Sequence, residues 1–212
     1  MILTRERKLI ISGLILFSLL LISGIRPFDR ATWLMEVAPI LIAFPVLVAT
    51  YRRFPLTSLL YGLIFVHATI LIAGGAYTYA RVPLGFWMQD LMSLSRNPYD
   101  KIGHFAQGFV PVLIAREIFL RGGYVTGRTM AAFLSICVAM AISAWYELIE
   151  WAAALALGQG ADEFLGTQGD QWDTQSDMFL AFIGAIAAIA LLSRLHDQQM
   201  AKLEKARTNR LT

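Results

Sequence analysis

Charge is what this sequence has least of. Only 16% of its 212 residues are Asp, Glu, Lys or Arg, against about 25% in a soluble globular domain. That shortage leaves too little polar surface to cover a water-soluble globule. It also excludes a disordered chain, which would be rich in charge and poor in apolar residues. The single cysteine, Cys137, excludes an intramolecular disulfide and a thiolate metal cluster. The sequence has no glycine-rich phosphate loop, no nucleophile elbow and no dinucleotide fingerprint. It has no internal repeat, and no recognition motif that would make nucleic acid a partner. What is present is apolar: 57% of the chain, with a mean hydropathy of +0.59. The expected fold is all-α, a polytopic bundle in a lipid bilayer.

A membrane span needs about 20 mostly apolar residues. Six runs qualify, at 9–25, 33–50, 56–75, 102–120, 129–150 and 177–195. The first follows Arg5, Arg7 and Lys8, and no small-residue cleavage site follows it, so it reads as a retained anchor. The second contains Pro39 and Pro45 and is expected to kink, since neighbouring helices can satisfy the freed carbonyls. The spans make one bundle domain, 1–195, and 196–212 reads as a charged cytoplasmic tail. Between the third and fourth runs, residues 76–101 are too polar to cross and are expected to lie as an amphipathic segment on the outer surface.

Basic residues set the orientation. Of 18 Lys and Arg, five (Arg26, Arg30, Arg81, Arg96 and Lys101) fall on one side, which leaves 13 on the other. Both termini are therefore expected in the cytoplasm. Acids run the opposite way. Glu6, Glu117, Asp197 and Glu204 are the inner four of 15, leaving 11 on or near the outer face. The five tryptophans, Trp33, Trp87, Trp145, Trp151 and Trp172, also fall there, as an interfacial belt would.

Three distant pieces of chain converge on this outer layer. Asp100 and His104 stand one helical turn apart at the start of the fourth span. Glu147 and Glu150 close the fifth, 17 residues or about 26 Å beyond Met130. Asp173 and Asp177 lead into the sixth, after a loop carrying Asp162, Glu163 and Asp170. Carboxylates this close must hold protons or a cation. Oxygen donors suit Mg²⁺, Ca²⁺ or Mn²⁺, and an imidazole adds Zn²⁺ or Fe²⁺. The expected metal ligands are Asp100, His104, Glu147, Glu150, Asp173 and Asp177, with Glu147, Glu150 and His104 as acid–base groups. Arg26, Arg30 and Arg81, on the same side, are placed to hold a lipid phosphate.

Simpler roles stand beside these. Asp100, and Asp173 or Asp177, lie where acids cap helix N-termini. His104 could be held by Asp100 and Gln107. Glu147 and Glu150 resist the capping explanation, because acids are disfavoured near a helix C-terminus. His67, deep in the third span, reads as a cross-helix hydrogen bond, Arg116-Glu117 as an interfacial ion pair, and Ala181, Gly184, Ala185 and Ala188 as a stripe for close helix packing.

The stretches TWLMEVAPI (32–40), YTYARVPLGFWMQ (77–89), YDKIGHFAQGFVPVLIARE (99–117), and SAWYELIEW with GADEFLGTQGDQWDTQSDM (143–178) resemble the YjdF family of bacterial inner-membrane proteins over nearly the full length. The resemblance implies the fold and the location and carries no biochemical activity with it. More distantly, Asp100-Lys101-x-x-His104, Glu147-x-x-Glu150 and Asp173-x-x-x-Asp177 are similar to the VanZ-like pattern, with Glu150 where a glutamine is common. The functional expectation is an outer-face site that binds a divalent cation and holds or acts on an envelope lipid headgroup. Enzyme or not is left open. A non-catalytic protein whose ion staples helices fits the same residues, and a small-solute transporter fits them less well, because the deep interior offers little beyond His67.

Overall fold

The structure, a computed structural model, describes residues 4–157 and 168–209; Asp162 and Glu163 lie outside them. Among the described residues there are seven α-helices and no strand. They are α1 (Arg5–Ile25), α2 (Arg30–Thr50), α3 (Ser58–Tyr77), α4 (Pro83–Met92), α5 (Tyr99–Arg121), α6 (Arg128–Leu157) and α7 (Asp173–Thr208), with a 3₁₀ turn at Tyr79–Arg81. α1, α2, α3, α6 and α7 are long and apolar enough to cross a membrane. α5 is too polar to pass that test, yet its 23 residues reach about 34 Å, enough for a hydrocarbon core of about 30 Å. Its polarity is tolerable because protein encloses it: within 101–120 only Ile118 is exposed. The polytopic all-α bundle read from the sequence is what the chain forms.

The chain divides into two compact units. The first comprises 1–50, 64–103 and 150–171. Its core joins Leu16 and Leu20 of α1, Val37 and Ile40 of α2, Leu71 and Ile72 of α3, and the two tyrosines Tyr79 and Tyr99, whose rings lie 5.7 Å apart. Tyr99 donates its hydroxyl to the Ile70 carbonyl at 3.2 Å. Trp33 fixes the α1–α2 turn by donating Nε1–H to Ser23 Oγ at 2.9 Å. α2 runs unbroken through Pro39 and Pro45.

α2 starts at Asp29, whose Oδ1 accepts from the Thr32 backbone N–H at 2.7 Å and from the Thr32 hydroxyl at 2.9 Å. The Thr32 backbone N–H, chiefly, holds the Asp29 carboxyl below its ordinary 3.8. The cap therefore contributes fully above pH 3.8 and its contribution fades as pH falls through the lowered folded value. Asp29→Ala is expected to cost about 1 kcal/mol at neutral pH. Thermal unfolding of the detergent-solubilised protein checks it: the gap to wild type should narrow in strong acid.

Between α3 and α5 the chain folds as a turn and a short helix. Pro83 occupies the first turn of α4, where its missing N–H costs nothing. Ser93, in the left-handed conformation at φ 52°, ends it. Leu84, Trp87 and Leu91 form one exposed apolar face. The other side is held by Asn97, whose Nδ2–H donates to the Val82 carbonyl at 3.1 Å and whose Oδ1 accepts from the Tyr99 N–H at 3.0 Å. Gly85 lies directly under that amide, and a Cβ there would overlap it. One side chain thus ties the start of α4 to the start of α5.

The second unit comprises 51–63, 104–149 and 172–212. In it α5 and α7 meet backbone to backbone. A Cβ on Gly108 would overlap the Ala181 carbonyl, and one on Gly184 would overlap the Phe105 carbonyl. Ala181, Ala185 and Ala188 are fully buried, so the small-residue stripe of α7 is a helix-packing surface. α7 continues as one helix to Thr208 and keeps His196 and Met200 buried beyond the apolar run.

Candidate functional site

The close α5–α7 approach positions two side chains one turn away from it. His104 precedes Gly108 by four residues on α5, and Asp177 precedes Ala181 by four on α7. His104 Nε2 and Asp177 Oδ2 are 3.8 Å apart. α6 supplies Glu147, whose Oε1 lies 3.8 Å from His104 Nδ1. His104 and Glu147 are each 7% exposed and Asp177 is 2% exposed. Asp173, also buried, stands one turn before Asp177 on α7. Asp100 stands one turn before His104 on the continuous α5.

The imidazole is oriented by its own helix. His104 Nδ1 is 3.2 Å from Gln107 Oε1, an oxygen that can only accept, so Nδ1 carries a hydrogen. That arrangement turns Nε2 toward Asp177. The space between a ring nitrogen and a carboxylate oxygen suits a proton, on either group, or a metal ion. At 3.8 Å the atoms are too far apart for a hydrogen bond. Two ligands on one ion lie at most about 4.2 Å apart, twice a bond of about 2.1 Å. The spacing suits a shared cation.

One of the simpler readings loses its basis. Asp177 is the fifth residue of α7, past the first-turn positions whose N–H groups a cap satisfies. Glu147, expected near a helix C-terminus, is not near a helix end. α6 extends to Leu157, because Trp151-Ala-Ala-Ala-Leu-Ala-Leu157 is built of strong helix formers, so the helix dipole weighs little on Glu147. Its carboxylate is buried beside His104.

The other residues singled out in the sequence lie as follows. Glu150 is half-buried, three positions beyond Glu147 on α6. Arg26 follows the last turn of α1, Arg30 opens α2, and both are exposed. Arg81, exposed at the end of the 3₁₀ turn, sets its guanidinium 4.1 Å over the ring of Phe28, so the three arginines gather about the α1–α2 turn. His67 Nε2 is buried with no hydrogen-bond partner among the described residues; the cross-helix bond expected of it is not made by that nitrogen.

One buried polar network went unanticipated. Arg116 and Glu117 do not pair with each other, because adjacent helical residues point about 100° apart. Arg116 Nη1 instead reaches Asp197 Oδ1 at 2.7 Å. Glu117, fully buried, accepts from the Thr57 N–H at 3.0 Å, the Thr57 hydroxyl at 2.8 Å, Arg121 Nη1 and His196 Nε2 at 2.8 Å. Arg116 Nη1 also lies 3.4 Å from His196 Nδ1. A guanidinium only donates, so Nδ1 accepts and Nε2 carries the hydrogen. Arg121 continues to the Pro55 carbonyl at 2.8 Å and stacks over Phe54. Every oxygen of Glu117 is satisfied, which marks the network as a clamp on the 54–57 segment.

The sequence matches the family described as predicted membrane protein (DUF2238) over residues 8–198. It is 63% identical over 189 residues to the inner membrane protein YjdF of Escherichia coli (strain K12), an alignment covering 89% of this chain and 90% of that protein. No solved structure matches the chain.

Proposed function

We propose a function for a chain that belongs to the DUF2238 family of predicted membrane proteins and is a multi-pass protein of the inner membrane: its buried histidine–carboxylate group binds a divalent cation and through it holds, or acts on, the headgroup of an envelope lipid. One observation carries the reading. His104 is flanked by carboxylates from two other helices, each at 3.8 Å, with its Nδ1–H committed to Gln107. His104 and Asp177 form the centre of the site, with Asp100 one turn before His104 on α5 and Asp173 one turn before Asp177 on α7; Glu147, on the Nδ1–H side of the ring, and Glu150 serve as acid–base groups on α6. The excess of Lys and Arg at the opposite ends of the spans supports a periplasmic position for the site and cytoplasmic termini. Arg26, Arg30 and Arg81 are suited to a lipid phosphate, two of them exposed beside Phe28 and the third stacked on it. A divalent ion supplies Lewis acidity toward a phosphoryl or carbonyl oxygen. The protein's part is to exclude water, hold the ligand atoms and place the phosphate.

Elemental analysis of the purified protein tests the reading. Wild type is expected to carry about one equivalent of metal, and Glu147→Gln with Asp177→Asn less than about a tenth of that. Metal-free wild type with no affinity for added Zn²⁺ or Mn²⁺ would leave an imidazolium paired with the two carboxylates as the explanation of the geometry. A second reading rests on the origin of the ligands: α5 gives His104 and α7 gives Asp177, so an ion there would also staple two helices. If that is its whole role, the double variant melts at lower temperature. If the site serves a headgroup, the metal-free double variant keeps its melting temperature and loses its cellular phenotype.

A further inference from the structure

The apolar face of α4 is left open by the described residues: Leu84, Trp87 and Leu91 are 52%, 62% and 68% exposed. A cap standing in water would leave such a patch facing solvent, which soluble surfaces avoid. What decides its surroundings is the level at which α4 is fastened, and the contacts at its base give that level. Tyr79, two residues past the end of α3, lays its ring where a Cβ on Gly74 would stand, and where one on Gly103 would stand. The chain therefore folds back beside α3 instead of running outward, and Gly74 and Gly103 meet at one height. From there α3 ends at Tyr77 and α5 begins at Tyr99, about 4.5 Å and 6 Å along their axes. The two helix ends are level to within a turn.

Asn97 carries that level to α4, by holding the Val82 carbonyl and the Tyr99 N–H on one amide. The first turn of α4 is thus pinned where its neighbours leave the bilayer. A second tie agrees. Arg81, two residues before Pro83, lies over Phe28, whose N–H donates to the Ala76 carbonyl near the end of α3. Ile22, Ile25 and Phe28 are exposed apolar residues there, so the open face of α4 continues the lipid-facing surface of α1. We propose that α4 is an in-plane helix of the outer leaflet, its Leu84–Trp87–Leu91 face seated on lipid at the boundary between headgroups and acyl chains. Trp87 then sits where indole rings favour the interface. No residue of the cation site takes part, so this proposal stands or falls apart from that reading.

The test uses the full-length protein in vesicles of phosphatidylethanolamine and phosphatidylglycerol. Cys137→Ser is combined in turn with Leu84→Cys, Trp87→Cys, Asp90→Cys or Leu91→Cys, and the new thiol is spin-labelled. Collision with oxygen, which concentrates among acyl chains, should exceed collision with an aqueous nickel chelate at 84, 87 and 91. At 90, about 100° around the helix from 91, the order should reverse. Nickel-dominated collision at all four positions overturns the proposal by placing the helix in water. Oxygen-dominated collision at all four overturns the in-plane seat in favour of a fully immersed helix. Labels at 84, 87 and 91 screened from both reagents overturn it too, since a protein surface such as a second copy would then cover the face. Trp87→Phe gives an unlabelled check at an exposed position that tolerates the change. The emission lost in that variant should be quenched in wild type by lipids brominated on the upper acyl chain and spared by iodide, and the opposite pattern overturns the proposal.

Discussion

Gly108→Ala should be among the most damaging single-methyl additions available in this protein, costing about 3 kcal/mol or more. The added Cβ would overlap the carbonyl of Ala181, a backbone group on a neighbouring helix that has no rotamer to escape through. Gly184 is matched in the same way against the Phe105 carbonyl, so both faces of the contact are already closed. Relief requires α5 and α7 to separate, which opens the packing around Ala181, Ala185 and Ala188 and forfeits dispersion contacts along the stripe. The same separation draws His104 away from Asp177, one turn up each helix. The variant is therefore expected to lose both thermal stability and cation affinity, measured by melting of the detergent-solubilised protein and by Mn²⁺ titration. Gly62→Ala is the control. Nothing lies within 4 Å of its added methyl, and alanine favours a helix over glycine by up to about 1 kcal/mol, so it should be neutral or stabilising. Equal melting temperatures for the two variants would refute the close-contact argument.

The elements of the site and of the bundle were legible to different degrees, for physical reasons. Helical periodicity places Asp100 over His104 and Asp173 over Asp177, and a rise of about 1.5 Å per residue puts Glu147 at a matching depth. Those are local rules, and they carry from sequence to structure. The end of α6 was less legible. Apolar length counts only what must cross lipid, whereas the alanines and leucines of 151–157 keep the helix going beyond Glu150. Asn97 gave no signal at all, since its effect depends on Gly85, twelve positions away, having no side chain. Glu117 and His196 are 79 residues apart, and His196 sits past the last apolar run, where composition alone reads as solvated tail. It is buried because α7 continues as a rigid helix past that run. A residue's company is then set by tertiary packing, which no periodicity records.

Glu117→Ala should cost about 3–5 kcal/mol, the scale seen when one partner of a buried ion pair is removed. The carboxylate serves four donors at once: the N–H and hydroxyl of Thr57, Arg121 and His196. Deleting it leaves a buried guanidinium without its counter-charge and orphans a backbone N–H at the entry to α3. Thr57 is also the cap of that helix, its hydroxyl accepting from the Leu60 N–H at 3.4 Å, so the 54–57 segment should loosen. His196→Leu is expected to cost less. Glu117 would still keep Thr57 and Arg121, while Arg116 would keep Asp197. This asymmetry separates a clamp centred on Glu117 from a simple two-residue pair, in which either deletion would cost the same. In the double variant the two losses should not add, because the Glu117–His196 hydrogen bond can be broken only once. Melting temperatures of the two single variants and the double in one detergent decide it, together with protease cleavage in 51–57. A Glu117→Ala protein that melts with wild type, its 51–57 segment still protected, would mean that the 54–57 segment is held by Gln199, which accepts from the Leu59 N–H at 2.9 Å, and by Arg121 on the Pro55 carbonyl, with Glu117 contributing little.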